Sequence, residues 1–287
     1  MNALPASVAV FGPGLMGGSL LMALRERAPQ TKLGAWARRP EVIRELESRG
    51  LIDFGGISAE EVAAQSGLAV LCLPVDRLAE LSKVIEAALP PDAMVTDVGS
   101  VKQPVVEELE KIFARHGSFV GSHPMCGSEE AGLIAARADL YEGALCVVTP
   151  TPHSRPEALS AVTEFWRLVG ARTIEMDPAE HDRAAAVVSH VPHVAAALLV
   201  ELVCEEEPRF RDLCAGGFRD TTRIASGSPE LWSAILSSNR HEVASALRKL
   251  GDSVTKVREA LEKNDVRALR GFLANAAAQR ARITAVS

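Results

Sequence analysis

Cysteine is sparse and scattered: Cys72, Cys126, Cys146, Cys204 and Cys214 are odd in number and form no C-x-x-C pair. That argues against a disulfide framework or a structural zinc site and fits a reducing, cytoplasmic setting. Basic runs are absent too, since none is longer than Arg38-Arg39 and 37 acidic residues outweigh 31 basic ones for a net charge of −6. A nucleic-acid partner is therefore not expected. The longest apolar stretch, Val191 to Val203, is interrupted by His193 and Glu201, and no basic n-region precedes the first glycine turn. Neither a membrane span nor a signal peptide is expected. Internal repeats and low-complexity tracts are missing as well. What remains is a chain of 287 residues, 47% hydrophobic and 24% charged, with 21 Gly and 16 Pro. That is the composition of a folded protein of two ordinary domains.

The first half alternates short β-rich apolar runs with helical patterns. Ser7 to Phe11 reads as a buried strand, followed by a glycine turn and a helix from Gly14 to Arg27; Lys32 to Trp36 is a second strand. A charged helix over Pro40 to Arg49 has its proline in the first turn and Glu45 and Arg49 four apart. Strands at Leu68 to Leu73, Met94 to Asp97 and Phe119 to Val120 follow, with helices at Val75 to Ala88 and Gln103 to His116. Two more strands, Leu145 to Thr149 and Arg172 to Met176, flank a helix from Pro156 to Val169. This alternation predicts βαβ units and a parallel sheet. Beyond Asp177 helical periodicity takes over, at Ala179 to Cys204, Leu231 to Ser237, His241 to Lys263 and Val266 to Ile283.

Gly12, Gly14 and Gly17 form a G-x-G-x-x-G that follows the first strand at once and opens a helix. In that context the glycines give a tight turn, close backbone approach to a pyrophosphate, and close packing of helix on sheet. The expectation is an α/β, Rossmann-type N-terminal domain over residues 1–178 and an all-α C-terminal domain over residues 179–287. About 20 residues past the last glycine, an acid would bind the ribose 2′-hydroxyl of NAD. Ala37 stands there, followed by Arg38 and Arg39. Two cations at a helix N-terminus oppose the macrodipole unless an anion joins them, and a 2′-phosphate would do so. NADP is favoured; NAD remains open, as does a merely solvated basic turn.

Three further segments concentrate polar groups. D-V-G-S-V-K, Asp97 to Lys102, lies at the carboxyl end of a strand, where open α/β sheets bind ligands; Ser100 there could equally be an ordinary N-cap. G-S-H-P-M-C-G-S-E-E-A-G, Gly121 to Gly132, presents His123 just after a strand. V-V-S-H-V-P-H, Val187 to His193, puts His190 and His193 three apart on one helix face, with no third ligand at metal-site spacing.

With G-P-G-L-M-G-G-S-L (Gly12 to Leu20), S-H-P-M-C-G-S-E (Ser122 to Glu129) and G-G-F-R-D-T-T-R-I-A (Gly216 to Ala225), these stretches come in an order that resembles the prephenate/arogenate dehydrogenases of tyrosine biosynthesis, over nearly the whole chain. The resemblance implies oxidative decarboxylation: a hydride leaves C4 of a cyclohexadiene ring for NADP or NAD, carbon dioxide departs, and the ring becomes aromatic. It makes His123 the base or hydrogen-bond acceptor for the 4-hydroxyl, with Ser100 beside both. It puts Arg223 on a substrate carboxylate, oriented by Asp220, and His193 on the pyruvyl side chain. Glu129, Asp182 and His190 are implied as supporting or gating residues, although His190 could be a packed helix histidine. The cofactor is implied to meet Gly12, Gly14, Leu15, Met16, Gly17, Ala37, Arg38, Arg39, Pro74 and Ser100.

The chain has no additional length for a chorismate mutase or regulatory domain, so feedback is expected at the active site, with tyrosine competing for the pocket. A homodimer through the helical domain is implied, for which the apolar faces of the last two helices suit. Two rivals stand beside this reading. A hydroxyacid dehydrogenase of similar build would need a catalytic lysine on its helical domain, and no lysine occurs between Lys111 and Lys249. A non-catalytic NADP-binding sensor would have no use for Ser100, His123, His193 and Arg223 together.

Overall fold

A run of apolar residues in a strand has no side to give to water, and in Ser7–Phe11 (β1) everything from Val8 onward is buried on both faces accordingly. Val8 and Val10 join one hydrophobic cluster, while Ala9 and Phe11 join another across the sheet. The computed structural model describes residues 4–114, 118–127, 130 and 132–284. In it, β1 is the centre of a five-stranded parallel sheet with Lys32–Trp36 (β2), Phe54–Gly56 (β3), Leu68–Leu71 (β4) and Met94–Asp97 (β5), in the order β3-β2-β1-β4-β5. Helices α1 (Leu15–Arg27), α2 (Pro40–Ser48), α3 (Ala59–Ala63), α4 (Leu78–Ile85) and α5 (Gln103–Ile112) connect or follow these strands. The order turns back between β1 and β4, so the cleft beyond their carboxyl ends is where this topology binds ligands. Neither β3 nor α3 is foreshadowed by an apolar run. The stretch read as one helix from Val75 opens and closes with 3-10 turns at Val75–Arg77 and Glu86–Ala88 around α4.

Two expectations about strands need correction. Phe119 makes only an isolated parallel bridge to Val95, and the strand proper, β6, is Gly121–Pro124, so His123 lies within a strand rather than after one. Moreover β6 pairs antiparallel with Leu145–Thr149 (β7), which pairs parallel with Arg172–Glu175 (β8), forming a second sheet of three strands in place of one continuous parallel sheet. Gly-Ser-His-Pro has little strand propensity of its own; pairing to the apolar β7 and satisfaction of its buried polar groups make it one. Helix α6 (Pro156–Leu168) lays Phe165 and Trp166 into the core shared with β7.

Beyond β8 every described element is helical: α7 (Pro178–Ala185), a π-helical turn Ala186–His190, α8 (Val191–Glu205), a 3-10 turn Pro208–Leu213, α9 (Gly216–Thr222), a 3-10 turn Arg223–Ser226 and α10 (Pro229–Ser238). These pack into the same compact unit as the sheets, Met1–Arg240. The continuous helix Pro178–Glu205 contains an 18-residue stretch with a mean hydropathy of 1.8, enough by length and composition to cross a bilayer. Its buried side carries His181, Asp182, His190 and His193, while Val187, Val188, Leu198 and Leu202 are exposed. The second unit, His241–Ser287, is a helical pair, α11 (Arg240–Glu262) and α12 (Val266–Thr284), joined through Asn264 at φ 52°. Leu250, Val254, Leu261, Phe272 and Leu273 of this pair are exposed.

Candidate active site

The glycine turn is shaped by what cannot fit. Gly12 has φ 95°, and a Cβ there would lie 2.6 Å from the Cys72 carbonyl oxygen. A Cβ on Gly17 would lie 2.6 Å from both the Gly12 oxygen and Val10 Cγ1, so α1 packs tightly on β1 only because Gly17 has none. Gly14 differs: a Cβ there would meet no protein atom within 4 Å, because this residue faces the cleft. Gly14 caps α1 without a side-chain hydrogen bond, and no acid stands in the first turn. The first-turn amides around Leu15 and Met16 thus form an electropositive cradle suited to a pyrophosphate. The Tyr141 hydroxyl donates to the Met16 carbonyl at 2.8 Å and pins the turn.

Gly12, Pro13, Gly14, Ala37, Arg38 and Arg39 line a cavity of about 510 Å³, with Trp36, Val42, Cys72, Leu73, Gly132 and Leu133. Ala37 is buried at the end of β2, and both arginines are exposed at the start of α2. Pro74 directly follows the lining residue Leu73. These residues fit a dinucleotide: a tight turn, an uncapped helix N-terminus, and two cations where a ribose substituent would lie.

The second centre is made of side chains from widely separated stretches. Asp97, at the end of β5, and Lys102, five residues on, are fully buried and form an ion pair. Asp97 also accepts from the Gly99 amide at 2.8 Å and the Ser122 amide at 3.1 Å. Lys102 Nζ donates in turn to the Ser122 carbonyl at 2.8 Å. The Ser122 hydroxyl meets the Asp97 carbonyl at 2.6 Å and accepts from Trp166 Nε1 at 2.9 Å. A buried ion pair repays its desolvation only with extra hydrogen bonds of this kind, and removing one partner typically costs about 3–5 kcal/mol. This network fixes the residue next to His123.

His123 itself is buried, and its Nδ1 lies 2.8 Å from His181 Nε2. His181 Nδ1 is 2.8 Å from Asp182 Oδ1. Asp182 further accepts from the amides of Lys102 at 2.7 Å and Gln103 at 2.9 Å. The carboxylate of α7 thereby caps α5, and Ser100 is not the cap: Lys102 holds that position, without a side-chain bond. Burial above all, then the neighbouring His181, Lys102 and His190, push the His123 pKa well below its ordinary value. The lowered pKa favours the neutral ring at physiological pH.

One turn past the π-helical segment, His193 stacks on Trp232 of α10 with ring centroids 3.5 Å apart and planes 14° from parallel. A Cβ on Gly227 would lie 2.5 Å from Trp232 Nε1, so the chain closes tightly over this pair. His190 is fully buried and accepts at Nδ1 from Asn239 Nδ2 at 3.2 Å, and Asn239 also donates to the Asp182 carbonyl at 2.8 Å. Burial pulls His190 down to about 4 against the opposing influence of Asp182, and lowers His193 too. Among the described residues His190 Nε2 and His193 Nδ1 have no hydrogen-bond partner.

The structure thus brings together His123, Asp182, the loop bearing Ser100 and, through Asn239, His190, with His193 against Trp232 one turn further on. Asp220 on α9 and Arg223 in the next turn are exposed, four residues or more before Gly227. Glu129 lies outside the described residues. Sequence reasoning missed His181, Lys102, Asp97 and Trp232. The D-V-G-S-V-K stretch carried a signal for two of them, since a buried strand ending in Asp with a Lys five residues on invites an ion pair. His181 stands in no motif.

The profile described as prephenate dehydrogenase, nucleotide-binding domain, matches residues 20–175, and that described as prephenate dehydrogenase, dimerization domain, matches residues 177–275. Prephenate dehydrogenase of Bacillus subtilis is 32% identical over 270 residues, 92% of this chain and 72% of that protein. Cyclohexadienyl dehydrogenase of Zymomonas mobilis is 29% identical over 262 residues, 90% of this chain and 89% of that one. The crystal structure of prephenate dehydrogenase from Aquifex aeolicus with hydroxyphenyl propionate and NAD+ aligns at a TM-score of 0.91 and 32% identity, covering 96% of this chain and 98% of that one. Synechocystis arogenate dehydrogenase aligns at 0.84 and 27% identity, covering 96% and 99%.

Proposed function

The chain belongs to the prephenate dehydrogenase family, and from that premise we propose how its residues carry out NAD(P)-dependent oxidative decarboxylation of prephenate, arogenate or both in tyrosine biosynthesis. The observation that carries the reading is His123: a buried, neutral imidazole in β6, locked through Ser122 to the end of β5. His123 accepts the proton of the substrate 4-hydroxyl as the hydride leaves C4, and returns it to the phenolate oxygen once carbon dioxide has gone. A bound nicotinamide supplies the hydride acceptor. Ser100 holds the same hydroxyl in line with the imidazole. Arg223 grips a substrate carboxylate, Asp220 orients Arg223, and His193 receives the side chain at C1; a planar guanidinium suits a carboxylate because it donates twice in one plane. Asp182, His190 and Glu129 support or gate these groups.

Toward the cofactor, the amides around Gly12, Gly14, Leu15, Met16 and Gly17 take the pyrophosphate, with Pro74 and Ser100 on the nicotinamide side. Arg38 and Arg39 prefer NADP, because Ala37 offers no carboxylate to the ribose hydroxyls of NAD. Residues 1–178 serve the dinucleotide and residues 179–287 the substrate and a homodimer. The exposed apolar side of α8 suits a second copy of the chain. Tyrosine, which keeps the product's ring, competes for the same pocket, and the free cysteines suit a cytoplasmic setting.

Steady-state assays of the purified chain with prephenate or arogenate against NAD or NADP test this. Turnover of at least one substrate, with the larger kcat/KM for NADP, is the expected result. A folded protein that turns over neither substrate with either cofactor overturns it.

A further inference from the structure

His181 belongs to none of the motifs, yet it is buried between the base and a carboxylate. We propose that His181 is a positioning residue that fixes the tautomer of His123, keeping the His123 proton on Nδ1 and its lone pair on Nε2. The inference rests on the reading of His123 as the base.

Asp182 accepts the backbone amides of Lys102 and Gln103, so its carboxylate is an acceptor on every side and His181 Nδ1 must donate to it. A neutral His181 then has only a lone pair at Nε2. The single proton between the two rings, 2.8 Å apart, must therefore come from His123 Nδ1. That leaves His123 Nε2 bare, as a base requires. Lys102 on the approach to α5 and His190 in the π-helical turn also face His123, and together with burial they disfavour a further cation on its ring. The rings meet edge to face, 72° apart with centroids at 5.0 Å, so the bond also sets the plane in which the lone pair lies. A histidine left to itself favours the opposite tautomer, with the proton on Nε2, and would present an N–H to a substrate hydroxyl. A carboxylate behind the base, through one intervening imidazole, removes that possibility without placing a negative charge against His123.

The test is the 15N spectrum of ring-labelled histidine in the whole protein near pH 8, with the His123 signals identified by their loss in His123→Asn. Expected is a protonated, pyrrole-like Nδ1 and an unprotonated, imine-like Nε2 at His123. Finding the proton on Nε2 overturns the proposal, and this measurement needs no variant of His181. His181→Phe should move the proton to Nε2 and lower kcat on the order of 10- to 100-fold, as for other groups that hold a reacting residue from behind, with substrate KM and cofactor Kd within about two-fold. His181→Gln, whose amide oxygen reaches the place of Nε2, should restore most of that loss. A folded His181→Phe protein with unchanged kcat overturns the proposal. Absence of turnover in wild type would instead strike the reading of the activity, while the 15N shifts would still decide the tautomer.

Discussion

The glycine turn and the histidine centre are built in opposite ways. At the turn, the groups offered to a phosphate come from Gly12 to Gly17 and act through backbone: an amide, a missing Cβ, a helix end, braced from outside by the Tyr141 hydroxyl. At His123 the groups come from the end of β5, the approach to α5, β6, α6 and α7, and act through side chains that are almost all buried. A backbone cradle suits a ligand that many proteins share, because phosphate asks only for N–H groups and positive potential. Placing one lone pair against one hydroxyl asks for more, and here the required precision comes from a hydrogen-bonded network that ties Asp97, Lys102, Ser122, His181 and Asp182 to one another and to His123. The second site distributes its stability over residues far apart in sequence.

The most severe way to separate the two is His123→Asn. It should lower kcat by about 10²- to 10⁴-fold, the usual contribution of a positioned acid or base, while cofactor Kd, measured by fluorescence titration, stays within about two-fold. Turnover near that of wild type would remove His123 from the chemistry. Equal losses in kcat and in cofactor affinity would show the two centres to be one.

Next in size is the pH dependence of stability. Burial holds His190 near 4 in the folded chain, whereas an unfolded histidine titrates near about 6.5. On acidification the unfolded chain binds this proton first, so the contribution is intact above pH 6.5 and is lost as the pH falls toward 4, by about 3 kcal/mol. His123 and His193 act in the same direction. Urea midpoints at pH 7 and pH 4 should therefore differ, and His190→Asn, which can still accept from Asn239, should shrink the difference by roughly that amount. A variant with the same pH dependence as wild type would mean that His190 titrates normally in the folded state.

The same contrast explains how much could be read in advance. Gly12, Gly14, Gly17 and the β1 run lie within eleven residues whose order is their geometry, so strand, turn, helix and cofactor class were all legible. The strands expected at Ser7, Lys32, Leu68 and Met94 fall where apolar runs stand. β6 was misplaced by two residues because Gly-Ser-His-Pro is a strand only through its partner β7 and through Asp97, which meets the Ser122 amide. The short β3 contains two glycines and borrows its order from β2. His181 was invisible because its role depends on a strand 58 residues away, and no local pattern marks a histidine that will meet another. The π-helical turn that separates it from His193 likewise has no sequence signature.

The smallest expected effect sharpens the comparison from the dinucleotide side. Arg38 and Arg39 are exposed, and Arg39 makes a loose ion pair with Glu41 at 3.9 Å. A 2′-phosphate bound there remains in water, so each arginine contributes no more than an exposed ion pair does, about 1 kcal/mol or roughly five-fold in affinity. Arg38→Ala should accordingly lower kcat/KM for NADP about five-fold and leave NAD unchanged, with no effect on kcat at saturating cofactor. Ala37→Asp should move discrimination the same way, since a carboxylate at the end of β2 accepts the ribose hydroxyls of NAD and repels a phosphate. Raising the ionic strength from low to physiological salt, where the Debye length is about 8 Å, should erode the NADP preference of wild type but not the turnover set by the buried histidines. A wild-type preference for NAD that Arg38→Ala does not alter would leave the two arginines as a solvated turn, with cofactor choice resting on the backbone cradle alone.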